Sequence, residues 1–444
     1  MKVAVTHEDA SSDRGTPAEF DEMESSVRTY CRLFDRIFSR ASGATMFDQH
    51  GRRHIDFLSG AGTLGYGHNN PHIKAAVIEY LQADGVLHSL DLHTTAKLAF
   101  LRKFRDLILV PRGLDYRVQF CGPTGTDAVE AALKLARKIM GQSAVIAFTN
   151  AYHGVSLGAL AVTASANHRA AAGLSLQSVV RMPYEGYLGS EVDTIALLQS
   201  MLARGSGIER PAAIIVETVQ AEGGINVASI DWLRRLADLA KCHRILLIVD
   251  DIQVGCGRTG TFFSFERAGI QPDIICLSKA IGGIGMPMAL TLVKPECDLW
   301  CPGDHVGTFR GNNLAFVAAA AALDYWQTSE IEHELSRRSR KIRRHLIQIA
   351  DRYPDHCAGI RGIGLIQGLA WRNPTLTSTI LRAAFERGLI IESCGPNNEV
   401  VKLLPPLIIN DDELEEGLAL LSDAIDHAIE SVSAQKLIPI DSEY

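Results

Sequence analysis

Short apolar runs recur through the middle of the chain, each followed by a stretch with helical spacing. AVIAF at 144–148, AAIIV at 212–216, ILLIV at 245–249 and IICLS at 274–278 are β-branched and apolar on both faces. A strand with that pattern is buried on both sides. GTDAVEAALKLARKIMG has helical Ala/Leu spacing and stops at Gly141, and SIDWLRRLADLAKCH reads as an amphipathic helix between two of the runs. Alternation of this kind predicts a mostly parallel sheet with helices on both faces, an α/β fold. Nearer the N-terminus, Met46-Phe47, a turn at 48–51 and then 55–58 predict a hairpin. NPHIKAAVIEYLQADG predicts a helix from Pro71 with Gly85 as its stop. From Asn313 the pattern turns helical and continues to Arg352. Short strands follow in GLIQGLAW, GLIIES and VVKLLP, then a final helix with Asn410 as its N-cap. Both chain ends are therefore expected to build a second, α+β domain beside the central sheet.

Composition narrows the function classes. At 444 residues the chain is long enough for one large and one smaller domain, and a formal net charge of −7 spread along it gives no reason to expect a nucleic-acid or membrane partner. No apolar stretch approaches the roughly 20 residues of a membrane span. The first 24 residues lack the apolar core of a secretory signal and read as a polar, partly disordered lead-in. Nine scattered cysteines without a C-x-x-C pair fit reduced thiols in a cytoplasmic protein, and no metal site is expected. The basic run SRRSRKIRRH at 336–345 lies in a helical stretch and reads as a solvated face.

Three motifs compete for the chemistry. Gly255, Gly257 and Gly260 form G-x-G-x-x-G, but Asp250 and Asp251 separate it from its strand and no helix start follows, so a dinucleotide reading lacks its context. GVSLG at 154–158 spells a nucleophile elbow, a pattern frequent by chance. The third constellation is coherent. Lys279 follows one apolar strand and can form a Schiff base if desolvated. Asp250 ends another strand, where a carboxylate would keep a pyridine nitrogen protonated in a pyridoxal-type electron sink. Gln253 has the reach to bond the ring oxygen. GPTGTDAVEAA turns into a helix, offering backbone N–H groups to a phosphate, and Tyr152 stands after a strand, available to stack on a flat ring.

In combination GPTGTDAVEAA, NAYHG, VETVQAEGG, VDDIQVGCGRTG, LSKAIGGIGMPM and GTFRGNNLAF resemble the class III (ω-)aminotransferases of the pyridoxal-phosphate fold-type I superfamily. FLSGAGTLGYGHNNPHIK, PRGLDYRVQFCGPTGT and GTFRGNNLAF resemble the diaminobutyrate branch of that family, which opens ectoine synthesis. The likeness covers nearly the whole chain. It implies a large domain at 70–315 with a mostly parallel seven-stranded sheet, and a small α+β domain from 1–69 and 316–444. It also implies pyridoxal 5′-phosphate as cofactor and a homodimer or dimer-based larger assembly. Lys279 would hold the cofactor and shuttle the proton, Asp250 would pair with the ring nitrogen and Gln253 with the ring oxygen. Gly125 and Thr126 would cradle the phosphate, joined by Thr308 from the partner subunit. Tyr152 would stack on the ring with His153 beside it, and Glu217 and Glu222 would line the substrate side. The loop bearing His88, Asp91 and His93 would lie near the dimer interface.

Many relatives have arginine where this chain has Lys402, and use its fork to clamp a carboxylate; a lysine is a point charge without that fork. The activity implied is transfer of an amino group between L-glutamate/2-oxoglutarate and a terminal aldehyde, with L-aspartate 4-semialdehyde becoming L-2,4-diaminobutyrate. The alternatives are an aminotransferase for ornithine, 4-aminobutyrate or another ω-amine, and a pyridoxal-phosphate mutase or racemase. A binding protein on a retired enzyme fold would not need Lys279.

Overall fold

A computed structural model describes residues 15–436. At its centre lie seven strands, β1 (Arg117–Phe120), β2 (Val145–Phe148), β3 (Val179–Met182), β4 (Ala213–Val216), β5 (Leu246–Asp250), β6 (Ile274–Leu277) and β7 (Leu290–Val293). Their order across the sheet is β1-β7-β6-β5-β4-β2-β3. Neighbours run parallel except for β7, which is antiparallel to both β6 and β1. The four runs legible in the sequence are β2, β4, β5 and β6, four of the five inner strands; β7, also internal, is not among them. Edge strands β1 and β3 carry Arg117, Gln119 and Arg181, polar residues that an edge tolerates and that break the apolar signature.

Side chains alternate between two cores, as the pleat requires. Ile146, Ile214, Leu247, Val249 and Ile275 face one, together with Trp232, Leu233 and Leu236 of the helix Ile230–His243. Val145, Ala213, Ile215, Ile248 and Ile274 face the other, against Ala128, Val129, Ala132 and Leu135 of the helix Gly125–Met140. Small alanines let that second helix lie close to the sheet, which brings its N-terminus near the strand ends.

The chain ends form two smaller sheets. Thr45–Asp48 and Arg53–Asp56 make the expected hairpin, extended by Phe38–Ser42 on one side and Leu389–Ile390 on the other. The second contains Cys357–Ile363, Ile366–Trp371, Val400–Leu403 and Glu392–Cys394. The single strand expected in GLIIES is thus two. Leu389–Ile390 joins the N-terminal sheet and Glu392–Cys394 pairs with Val400–Leu403. The helical stretch after Asn313 is likewise interrupted, into Asn313–Ala322, a single turn at Leu323–Trp326 and Glu330–Arg352. The helix Asp411–Lys436 starts as expected, with the Glu413 N–H donating to Asn410 Oδ1 at 2.8 Å. Part of the polar lead-in folds, as the exposed helix Pro17–Met23, and its first fourteen residues lie outside the described part. The basic run lies on the helix Glu330–Arg352, where Arg337 bridges Glu334 and Asp411 and Lys341 pairs with Glu415. Among the described residues no helix is long and apolar enough to cross a membrane. All nine cysteines are free.

Candidate active site

Parallel pairing of β5 with β6 sets Asp250 opposite Cys276, so Asp250 and Lys279 emerge together past the same sheet edge. Lys279 has φ +54°, a left-handed conformation that few non-glycine residues adopt. Burial lowers the pKa of its amine, and the charges of Glu222, Lys402, Glu392 and Asp250 all act on it. The two aspartates of VDDIQ have different surroundings. Asp250 Oδ2 lies 2.7 Å from His153 Nδ1, and its Oδ1 accepts from the Ile252 N–H at 3.1 Å. An ionised carboxylate has only acceptors, so His153 donates from Nδ1. Its Nε2 is then buried with no hydrogen-bond partner among the described residues.

Asp251 turns inward instead. Its carboxylate accepts from the Ser264 N–H at 3.1 Å and from the Ser264 hydroxyl, and burial pushes its pKa up to about 7. It fastens the loop that contains G-x-G-x-x-G. That loop is a run of turns that opens no α-helix, only a single 3-10 turn at Glu266–Ala268. Gly257, at φ +100°, lies so close to the Trp326 ring that a Cβ would stand 2.9 Å from it. These glycines pack the loop behind the site.

Opposite Asp250, Gly125 and Thr126 begin the helix Gly125–Met140, whose first N–H groups have no partner within the helix. Thr126 Oγ1 contacts Ser156 Oγ at 2.6 Å, and Ser156 Oγ donates to Glu130 Oε1 at 2.6 Å. Gly154, at φ +118°, leaves room there, since a Cβ would sit 2.5 Å from Thr126 Oγ1. The serine of GVSLG therefore supports this turn. A helix N-terminus, an unpartnered buried imidazole nitrogen, a carboxylate and a partly buried amine converge in one place. That donor set fits a flat ring bearing a phosphate and a protonated nitrogen.

Next to this set, Lys402 is completely buried, with Nζ 2.7 Å from Glu222 Oε1 and 3.0 Å from Glu392 Oε1. Burial alone would discharge this lysine, yet Glu222 and Glu392 outweigh it and hold its pKa well above the ordinary value. Burial likewise works to raise Glu222, but Lys402 and Lys279 hold it low. Gln253 turns its amide to this cluster, donating to Glu222 Oε1 and to the Ala61 carbonyl, both at 3.0 Å, and accepting from Lys402 at 3.4 Å. Glu217 clips main chain, accepting from the N–H groups of Tyr152 at 2.9 Å and Ala221 at 3.2 Å. Burial and neighbouring Asp250 push its carboxyl well above the usual range. Tyr152 meets the His168 ring edge-on, and Thr308 stands exposed on the 305–312 loop, away from this cluster's hydrogen bonds.

Two residues of this cluster were not singled out in the sequence. Glu392 is buried, and the exposed Tyr30 donates to its Oε2 at 3.4 Å. The available signal for Glu392 was one acid within the apolar run GLIIES; Tyr30 had none.

Comparison with known proteins identifies the family. The family described as Aminotransferase class-III matches residues 28–425. A diaminobutyrate–2-oxoglutarate transaminase of Bordetella parapertussis is 55% identical over 94% of this chain and 97% of its own. Among solved structures, an ornithine aminotransferase of Toxoplasma gondii superposes with a TM-score of 0.83 at 25% identity, covering 94% of this chain and 97% of that one. An amine transaminase from an uncultivated Pseudomonas species, solved in its PLP-bound form, gives a TM-score of 0.81 at 25% identity over 91% and 98%. The chain belongs to the class-III aminotransferase family.

Proposed function

We propose that this aminotransferase exchanges an amino group between L-glutamate/2-oxoglutarate and the terminal carbon of L-aspartate 4-semialdehyde, giving L-2,4-diaminobutyrate, with pyridoxal 5′-phosphate as cofactor. The observation that carries the reading is the buried Lys402–Glu222 pair facing the Lys279 amine. Such a pair can present either a covered or a free cation to the far end of a substrate. The relative named for diaminobutyrate supports the choice of substrate.

When bound, pyridoxal phosphate supplies an electron sink for negative charge on the substrate carbon. Lys279 Nζ would hold the cofactor and carry the proton on and off that carbon, and burial favours the uncharged amine this needs. Asp250, steadied by His153, would keep the ring nitrogen protonated. Gly125 and Thr126 would take the phosphate at the helix N-terminus, Tyr152 would cover the ring face, and Gln253 would serve the ring oxygen once it leaves Glu222. Thr308 completes the phosphate site of the partner subunit in a homodimer. Glu217 fixes the main chain beneath the ring. Glu222 covers Lys402 while the diamino acid is bound and releases it for the carboxylate of glutamate. The enzyme works in the cytoplasm, and its product fits ectoine synthesis.

The test is a donor panel assayed with 2-oxoglutarate. 2,4-Diaminobutyrate should turn over with the highest kcat/KM and ornithine and 4-aminobutyrate should follow. A preference for either of those, or turnover without a keto acid as in a mutase or racemase, overturns the reading. In parallel, Lys279→Ala should lose all amino transfer, and borohydride reduction of the wild type should leave a pyridoxyl group on the Lys279 peptide.

A further inference from the structure

Lys402 lies between two carboxylates that differ in freedom. Glu392 and Lys402 are directly paired residues of adjacent antiparallel strands, Glu392–Cys394 and Val400–Leu403, so the backbone itself keeps them together. Glu222 reaches Lys402 from the turn that follows the short strand Val219–Gln220, and its side chain is 29% exposed against 9% for Glu392. Glu222 is therefore the partner that can leave, and Glu392 the one that stays.

The charges do not balance. Lys402 faces two carboxylates, and the only other amine acting on Glu222 in this cluster, that of Lys279, is the one that would be committed to the cofactor. With Glu222 in place the pocket then has one more carboxylate than it has free cations, and burial raises the pKa of the Glu392 carboxyl accordingly. Burial of unbalanced charge is costly, so this state is suited to a cationic guest. Glu392 presents the open position. Its Oε1 is ion-paired with Lys402 at 3.0 Å but takes no hydrogen bond among the described residues, and its Oε2 has only the 3.4 Å hydrogen bond from Tyr30, a side chain half exposed at the N-terminal segment. An ammonium group can replace that hydroxyl with a shorter, charge-assisted bond. Glu222 Oε1 accepts from both Lys402 and Gln253, and Glu222 is the acid free to leave, so the fixed contact falls to Glu392.

We propose that Glu392 is a specificity-determining residue whose Oε2 receives the α-ammonium group of the ω-amino acid substrate, displacing the Tyr30 hydroxyl. This rests on the aminotransferase reading above and deepens it. 2,4-Diaminobutyrate carries an α-ammonium, whereas 4-aminobutyrate is the same molecule with hydrogen in its place. A site with a carboxylate set for that ammonium rejects the analogue, because the buried acid is left unpaired. When glutamate binds instead, Glu222 withdraws, the excess negative charge goes with it, and Glu392 remains as the fixed counter-ion of Lys402.

The experiment compares kcat/KM for 2,4-diaminobutyrate and 4-aminobutyrate, with 2-oxoglutarate as acceptor, in the wild type and in Glu392→Gln, Glu392→Asp and Tyr30→Phe. The wild type should favour the diamino acid by about tenfold or more. Glu392→Gln should shrink that ratio by about tenfold, mainly through KM for the diamino acid, with Glu392→Asp falling between. Tyr30→Phe should keep the ratio. An unchanged ratio in Glu392→Gln overturns the proposal, as does loss of the ratio in Tyr30→Phe alone. Should Glu392→Gln fail to fold, the wild type still decides: 4-aminobutyrate used within about threefold of diaminobutyrate sinks the ammonium contact. A wild type that turns over neither of these amines yet transaminates another ω-amine would instead defeat the substrate assignment.

Discussion

At the scale of single residues, the group most dependent on its neighbours is Lys402. A fully buried ammonium survives only with partners, and here Glu222, Glu392 and Gln253 supply them at 2.7, 3.0 and 3.4 Å. If Glu222 uncovers Lys402 only for glutamate, the two half-reactions must respond differently to its loss. Lys402→Ala should slow the glutamate and 2-oxoglutarate half-reaction by about a hundredfold, since a desolvated charge contact to a carboxylate disappears. The diaminobutyrate half-reaction should lose much less. Single-turnover absorbance changes with each substrate measure the two separately, and equal losses would refute the switching role. That Lys279 and Asp250 meet past one sheet edge was legible in the sequence, because each follows an apolar run and the two come with a Gly/Thr turn and Gln253, although neither residue alone would stand out. Glu392 and Tyr30 were not, because their meeting depends on how segments 362 positions apart come together. No local pattern encodes that distance.

Among elements, the loop from Asp251 to Ser264 shows how letters and geometry part company. Its glycines spell a dinucleotide fingerprint, yet what they provide is close packing against Trp326 and a turn around a buried acid. Four of the five inner strands were readable because they are apolar on both faces; the fifth, β7, is equally buried but carries Thr291 and was not. The division of GLIIES between two sheets was not, since no Gly, Pro or turn residue marks a break at Ile391 and the two halves are told apart by their partners. Asp251 gives this loop a pH signature. Its folded pKa, pushed up to about 7, lies above the ordinary 3.8, so the folded chain binds more protons than the unfolded chain between those values. The contribution of this group to stability is therefore complete below the unfolded value and is lost as pH rises through about 7. At about 1.4 kcal/mol per unit, the loss between pH 5 and 8 is roughly 2–3 kcal/mol. Asp251→Asn removes the titration while keeping an acceptor for Ser264. The melting temperature of the wild type should fall relative to that of the variant by a few degrees over this range. A constant difference would mean that Asp251 is ionised in the folded protein.

For the whole molecule, the question is whether one chain suffices. Val86, Leu87, Leu90, Leu92, Val306 and Phe309 are all exposed. They come from two segments joined by hydrogen bonds from the Ser89 N–H to the Gly311 carbonyl and from the Asn313 N–H to the Leu87 carbonyl, both at 3.0 Å. Asp91 adds an ion pair with Arg310, and His88 packs edge-on against Phe309. Six exposed apolar side chains on two segments tied together by main-chain hydrogen bonds form a ridge of the kind a protein–protein contact uses. Thr308 lies within the ridge, beside Phe309. If the ridge meets its own copy across a two-fold axis, Thr308 of each chain is carried to the edge of the other's site, where the proposed phosphate contact needs it. Phe309→Asp combined with Leu92→Asp would then bury two charges in each face of the contact. Sedimentation velocity should show a dimer for the wild type and a monomer for the double variant at micromolar concentration. Aminotransfer by the monomer should fall by about tenfold or more, because the phosphate is held less firmly and the reacting carbon is misplaced. Thr308→Ala should remain dimeric and release the cofactor more readily on dilution. A fully active monomer would show that each chain completes its own site, and a wild type that sediments as a monomer would assign the ridge to some other partner.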